Sequence, residues 1–182
     1  MSKNLNIPNS LTVFRIVLVP LCVYALFKNG GDESSWRIIA WFGYFIIGLT
    51  DFFDGKIARA RGNITSFGTF LDPVADKVAI GSALISLSIL HRLWWWVSVV
   101  ILARELLVTL LRVAVIKRGV IPASKGGKIK TLFQGFGTGF YILPLPHLLI
   151  WPRNLFMAIT VVLTVVTGID YFYKALFASS RK

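Results

Sequence analysis

One cysteine, Cys22, stands alone in 182 residues, so intrachain disulfides and cysteine-ligated metal sites are excluded. It falls in the middle of an apolar run, where its role is that of a small buried hydrophobe. Acids are scarce too: 8 Asp and Glu stand against 20 Lys and Arg, for a net charge of +12. Charged residues of both signs make up only 15% of the chain, where a soluble domain carries about 25%. Hydrophobic residues reach 55% and the mean hydropathy is +0.71, a composition that points away from water and toward lipid. Nucleic-acid binding is one reading of the basic excess. At this hydropathy, loops facing anionic lipid and phosphate-bearing substrates account for it better, and no nucleic-acid partner is expected.

What the sequence does have is apolar runs of membrane-crossing length. Six can be drawn, near Leu11–Phe27, Ile38–Phe53, Phe70–Leu90, Trp94–Ile116, Thr131–Ile150 and Leu155–Phe177. They predict an all-α, polytopic membrane protein: six transmembrane helices and a short amphipathic N-terminal segment, in a single membrane domain over residues 1–182. Met1 to Asn9 is polar and the run after it is too long for the core of a cleaved signal, so the first segment is expected to be a retained span. Asn9 or Ser10 is the expected N-cap. Tight turns are expected at His91–Leu93 and Trp151–Asn154.

Lysine and arginine set the orientation. The N-terminus, the Lys56–Arg61 and Lys117–Lys130 connectors and the C-terminal tail hold most of the cations, whereas the other side has only Lys28, Arg37, Arg92 and Arg153. Both termini are therefore expected in the cytoplasm, as an even number of spans also requires. Trp94, Trp95 and Trp96 read as an aromatic belt at the outer interface, with His91 and His147 interfacial. Gly135 and Gly139, four apart in the fifth span, read as a close helix contact.

Against this background, half of all the acids fall between positions 51 and 76. Asp51 and Asp54 are i, i+3, and Asp72 and Asp76 are i, i+4, so each pair shares one face of a helix. A helical hairpin closed by a 55–67 connector would bring the four together at membrane depth. Four ionised carboxylates cannot stay close in a low-dielectric site without cations. An all-oxygen donor set suits Mg2+ or Mn2+, and Mg2+ is commonly shared with substrate phosphates. The plainer alternative is solvation at helix ends or ion pairs with Arg59, Arg61 and Lys77. Gly55 and Ala58 leave room for a flat base or ribose against the backbone, Arg59 could pair with a phosphate, and Gly68 permits a turn or close contact.

The stretch Asp51-x-x-Asp54-Gly55-x-x-Ala58-Arg59, eight residues, then Gly68-x-x-x-Asp72-x-x-x-Asp76 resembles the signature of the CDP-alcohol phosphatidyltransferase family at every position. The resemblance implies a two-metal site, Mg2+ or Mn2+, on Asp51, Asp54 and Asp72 with Asp76 beside it. It also implies that Asp76 is the general base and that Gly55, Ala58, Arg59 and Gly68 line a CDP-lipid pocket. Attack on the phosphorus bearing the diacylglycerol would expel CMP. A homodimer in the bacterial cytoplasmic membrane, with the active site on the cytoplasmic side, is implied as well.

The acceptor must be read elsewhere. The opening Asn6-Ile-Pro8-Asn9-Ser-Leu11-Thr12-Val-Phe-Arg15, the pair Arg104-Glu105 followed by Arg112, and the segment Ala123-Ser124-Lys-Gly-Gly127-Lys128-Ile-Lys130-Thr131 resemble members of that family acting on sn-glycerol 3-phosphate. The acceptor's phosphate is then expected among Arg112, Arg118, Lys128, Lys130, Thr12 and Arg15. Five cations between Lys117 and Lys130 suit a dianionic acceptor, though an ordinary positive loop touching anionic lipid would look alike. Arg104 and Arg112 are costly inside an apolar span without a partner, and Glu105 could pair with either. The same family also includes transferases with other acceptors, such as cardiolipin synthases using phosphatidylglycerol. A cation transporter would instead spread polar residues over several spans or carry an inverted repeat, and neither pattern is present.

Overall fold

A computed structural model of the chain describes residues 7–61, 66–115 and 125–178, with side chains over 10–51, 71–114 and 126–175 apart from Lys128. The described residues form six α-helices and no strand: α1 (Ile7–Phe27), α2 (Ser34–Arg61), α3 (Ser66–Ile89), α4 (Trp95–Val115), α5 (Lys125–Ile142) and α6 (Ile150–Ala178). An all-helical chain is what the apolar runs predicted. Two stretches among the described residues, Ser10–Gly31 and His147–Ala175, are long and apolar enough to cross a bilayer. The chain divides into two compact units.

The first unit contains α1, α2 and α3 together with Tyr141–Pro144. Thr12, Arg15, Val19, Cys22 and Leu26 are all buried and recur every three or four residues along α1, so they form one stripe facing α2 and α3. Val13, Val17, Leu21 and Tyr24 are large, apolar and exposed on another face. A helix apolar on its outer face suits lipid rather than water. Val19 and Cys22 pack with Ile47 of α2 and Ala79 of α3 as the apolar centre of the unit.

Several helix boundaries differ from those expected. α1 begins at Ile7, before Asn9 and Ser10, because Pro8 is well tolerated in a first helical turn, where its missing N–H costs nothing. α2 runs on to Arg61, so Gly55, Ala58 and Arg59 are helical rather than part of a connector. Lys56, Ile57, Ala58, Arg59, Ala60 and Arg61 are mostly good helix formers, and the single Gly55 costs only about 1 kcal/mol. At 1.5 Å per residue, Asp51 lies roughly 26 Å along α2 from Ser34, close to the thickness of a hydrocarbon core. α3 ends where expected: His91 takes a positive φ of 53° and the Arg92 N–H reaches back to Leu87 O at 2.9 Å, a left-handed helix stop that is usually built on glycine.

The second unit spans Leu93–Phe140 and continues from Leu145. α4 packs on α6. Met157, Thr160, Thr164, Gly168, Tyr171 and Ala175 form the buried stripe of α6, whereas Ile159, Val162, Val166 and Ile169 are exposed. Gly137 of α5 meets Phe156, Met157 and Thr160 closely; a Cβ there would lie 3.1 Å from Thr160 Oγ1. Close contact therefore falls at Gly137 rather than at Gly135, around which a Cβ would meet nothing.

The last boundary is also corrected. The fifth run does not continue to Ile150, and Trp151–Asn154 is not a turn. α5 starts at Lys125 and stops at Ile142, and α6 takes in residues 151–154. Pro144 and Pro146 disfavour helix at the residues before them and cannot donate to a preceding turn. Pro152 sits within the first turn of α6, where proline is harmless. In the first unit, Arg37 donates to the carbonyls of Tyr141, Ile142 and Leu143 at 3.4, 3.0 and 2.7 Å, a cation on carbonyls that a helix end leaves open.

Candidate active site

The acids of the first unit are organised by a residue from another helix. Arg15, one turn after Thr12 on α1, has a side chain only 1% exposed. Its Nη1 donates to Asp51 Oδ1 of α2 at 2.6 Å and lies 3.9 Å from Asp76 Oδ1 of α3. Its Nη2 donates to Asp72 Oδ1 at 3.4 Å and stands 3.5 Å from Thr12 Oγ1. The Thr12 hydroxyl, itself fully buried, donates to the same Asp72 Oδ1. One guanidinium thus bridges three carboxylates on two helices, in the fork geometry that suits such pairing.

The acids remain open on their other side. The Asp51 and Asp72 side chains are 41% exposed and that of Asp76 is 55%. Asp51 and Asp54 lie one turn apart on α2, as do Asp72 and Asp76 on α3, with Pro73 between the latter two. The side chains of Asp54, Gly55, Ala58, Arg59 and Gly68 lie outside the described residues; their backbones are helical. Among the described residues no three acids close on their own around an ion. Carboxylate oxygens without His or Cys are the donor type that suits a hard divalent cation.

The second unit carries a separate polar network. Glu105 of α4 accepts from Lys130 Nζ of α5 and from Arg104 Nη1 at 3.2 Å. Arg104 Nη2 also donates to Thr167 Oγ1 of α6 at 3.1 Å. Lys130 is 5% exposed, Arg104 16% and Glu105 22%. Arg104 lies against Gly168, where a Cβ would stand 3.0 Å from Arg104 Cγ. Glu105 thus pairs with Arg104, whereas Arg112 is exposed and stacks over the Tyr171 ring at 5.8 Å.

Of the residues expected at an acceptor phosphate, Thr12 and Arg15 are brought onto the carboxylates, and Lys130 onto Glu105. Arg118 and the Lys128 side chain lie outside the described residues. The partnership of Arg15 with Asp51 and Asp72 was not anticipated from sequence. Its signal was an arginine on the buried stripe of an apolar helix, three residues after a threonine.

A family model described as CDP-alcohol phosphatidyltransferase matches residues 5–166. The chain is 52% identical over 171 residues to a protein of Mycobacterium tuberculosis (strain H37Rv) named probable phosphatidylglycerophosphate synthase, covering 94% of this chain and 82% of that one. It is 37% identical over 182 residues to a Bacillus subtilis protein named CDP-diacylglycerol–glycerol-3-phosphate 3-phosphatidyltransferase, with 93% and 94% of the two chains covered. A Rickettsia felis protein of the same name is 36% identical over 180 residues, with 92% and 93% covered.

Proposed function

The chain belongs to the CDP-alcohol phosphatidyltransferase family, and from that premise we propose that it transfers the phosphatidyl group of CDP-diacylglycerol to sn-glycerol 3-phosphate, giving phosphatidylglycerophosphate and CMP. The observation that carries the transferase reading is the convergence of Asp51, Asp72 and Asp76 on one buried guanidinium, at positions of the family's signature. The choice of acceptor rests on the names borne by the three relatives.

Two long apolar helices and the lipid substrates of the family support a membrane protein; we take all six α-helices as spans, with both termini and the aspartates in the cytoplasm of a bacterium and two copies assembled as a dimer. In the reaction, the acceptor's hydroxyl oxygen bonds the phosphorus that bears the diacylglycerol. The bond from that phosphorus to the CMP oxygen breaks, and its electron pair leaves with CMP. Asp76, the most exposed of the three described acids, takes the hydroxyl proton on its carboxylate. Gly55, Ala58, Arg59 and Gly68 line the CDP pocket, and Arg112, Arg118 and Lys128 supply charge for the acceptor's phosphate, Lys130 being engaged by Glu105. Mg2+ or Mn2+, as a pair of ions on Asp51, Asp54, Asp72 and Asp76, would neutralise the diphosphate and the charge developing on CMP.

The test is CMP release by purified, reconstituted protein given CDP-diacylglycerol, Mg2+ and a panel of alcohols. Turnover with glycerol 3-phosphate is expected. Turnover with phosphatidylglycerol alone would make the chain a cardiolipin-forming member. Ion flux into liposomes without CMP release would replace the transferase by a transporter.

A further inference from the structure

We propose that Arg15, braced by Thr12, is the positioning residue of the carboxylate cluster: a fixed internal counter-cation that ties Asp51, Asp72 and Asp76 together and moderates their affinity for a divalent cation. This rests on the functional reading above only for what the site does, not for how it is built.

The geometry separates this role from acceptor binding. Arg15 is 1% exposed whereas the acids it holds are 41–55% exposed, so the guanidinium lies behind the carboxylates rather than beside them. An incoming phosphate could take it only by drawing it off the acids. Arginine stays charged at every physiological pH, and a buried cation on an apolar helix is costly unless anions surround it. Here the two ends of the fork are shared between helices: Nη1 serves Asp51 of α2 and Asp76 of α3, and Nη2 serves Asp72 of α3. Thr12 holds Asp72 from the preceding turn of α1.

Two consequences follow. With one positive charge already among them, the acids repel one another less, so the cluster persists without a metal ion. The same charge opposes any further cation at that edge, so the site binds divalent ions more weakly than bare carboxylates would.

The experiment uses full-length protein in nanodiscs. Thermal unfolding is followed in chelator and in Mn2+, Mn2+ binding by the resonance signal of the free ion, and CMP release against glycerol 3-phosphate. Arg15→Gln should melt well below the parent in chelator, recover most of the difference in Mn2+, and bind Mn2+ about tenfold tighter. Arg15→Lys keeps the charge but not the fork. It should hold the parent's metal-free melting and Mn2+ affinity and lose about tenfold in turnover at unchanged KM for the acceptor. Unchanged or weaker Mn2+ binding by Arg15→Gln would overturn the proposal. So would an Arg15→Lys variant with normal turnover and a raised acceptor KM, which would return Arg15 to the acceptor. If Arg15→Gln cannot be purified even in Mn2+, the Arg15→Lys criteria decide alone. Metal-linked melting as described, with no CMP release from any acceptor, would defeat the functional reading and leave this role of Arg15 standing.

Discussion

Glu105→Ala removes the one carboxylate shown bonding Lys130 and Arg104 in the second unit. The Lys130 side chain is 5% exposed, so water compensates poorly for the lost anion and its other contacts do so only in part. Removing one partner of a buried ion pair costs about 3–5 kcal/mol. The lower figure applies here, because Arg104 keeps its 3.1 Å bond to Thr167 and is itself only partly buried. In a chain of this size about 1 kcal/mol moves the melting temperature by about 2–4 °C, so a fall of about 6–12 °C is expected. Intrinsic fluorescence during heating in detergent measures it. The double variant Glu105→Ala/Lys130→Met removes both charges and fills the space with an apolar chain, and it should regain most of the loss. A single variant within about 2 °C of the parent, or a double variant as unstable as the single, would refute the reasoning.

Gly43→Ala should cost about 1–3 kcal/mol, since the added methyl would overlap Sγ of the buried Cys22 and force it to shift. Adding Cys22→Ala should restore much of it in the same melting assay. Asp76→Asn should lower CMP release by at least about a hundredfold while CDP-lipid binding remains measurable, because the proton acceptor is lost and the other acids stay. A near-normal rate would remove Asp76 as the base. In a Cys22→Ala background, Asn154→Cys should react with a membrane-impermeant maleimide applied outside intact cells, and Ser180→Cys only after permeabilisation. The reverse pattern would invert the orientation.

The acids were legible because their signal is local. A spacing of three or four on a helix places two side chains on one face whatever the rest of the chain does, and four acids in an apolar sequence have few other uses. Helix identity was legible for the same reason. Boundaries were less so where apolarity and helicity part company: Leu143 to Leu149 is apolar, yet Pro144 and Pro146 forbid a continuous helix, and the polar stretch 54–61 is helical because its residues are good helix formers. Partners were hardest. Arg15 is 36 residues from Asp51 and 57 from Asp72, and Lys130 is 25 from Glu105. No periodicity within one helix encodes such pairs; they arise from which helix packs on which. Thr12 and Arg15 were visible as polar residues in an apolar run, but their partners were visible only in three dimensions.

The central claim is that an acceptor hydroxyl attacks the phosphorus bearing the diacylglycerol, at a site built on Asp51, Asp72 and Asp76. Mass spectrometry of the products formed from CDP-diacylglycerol and glycerol 3-phosphate by the reconstituted protein tests it most directly, with Asp76→Asn as the control. Phosphatidylglycerophosphate and CMP in equal amounts are predicted, and neither from the variant. Phosphatidic acid together with a cytidine-containing adduct of the acceptor would place the attack on the other phosphorus, and the absence of any new lipid would contradict the account outright.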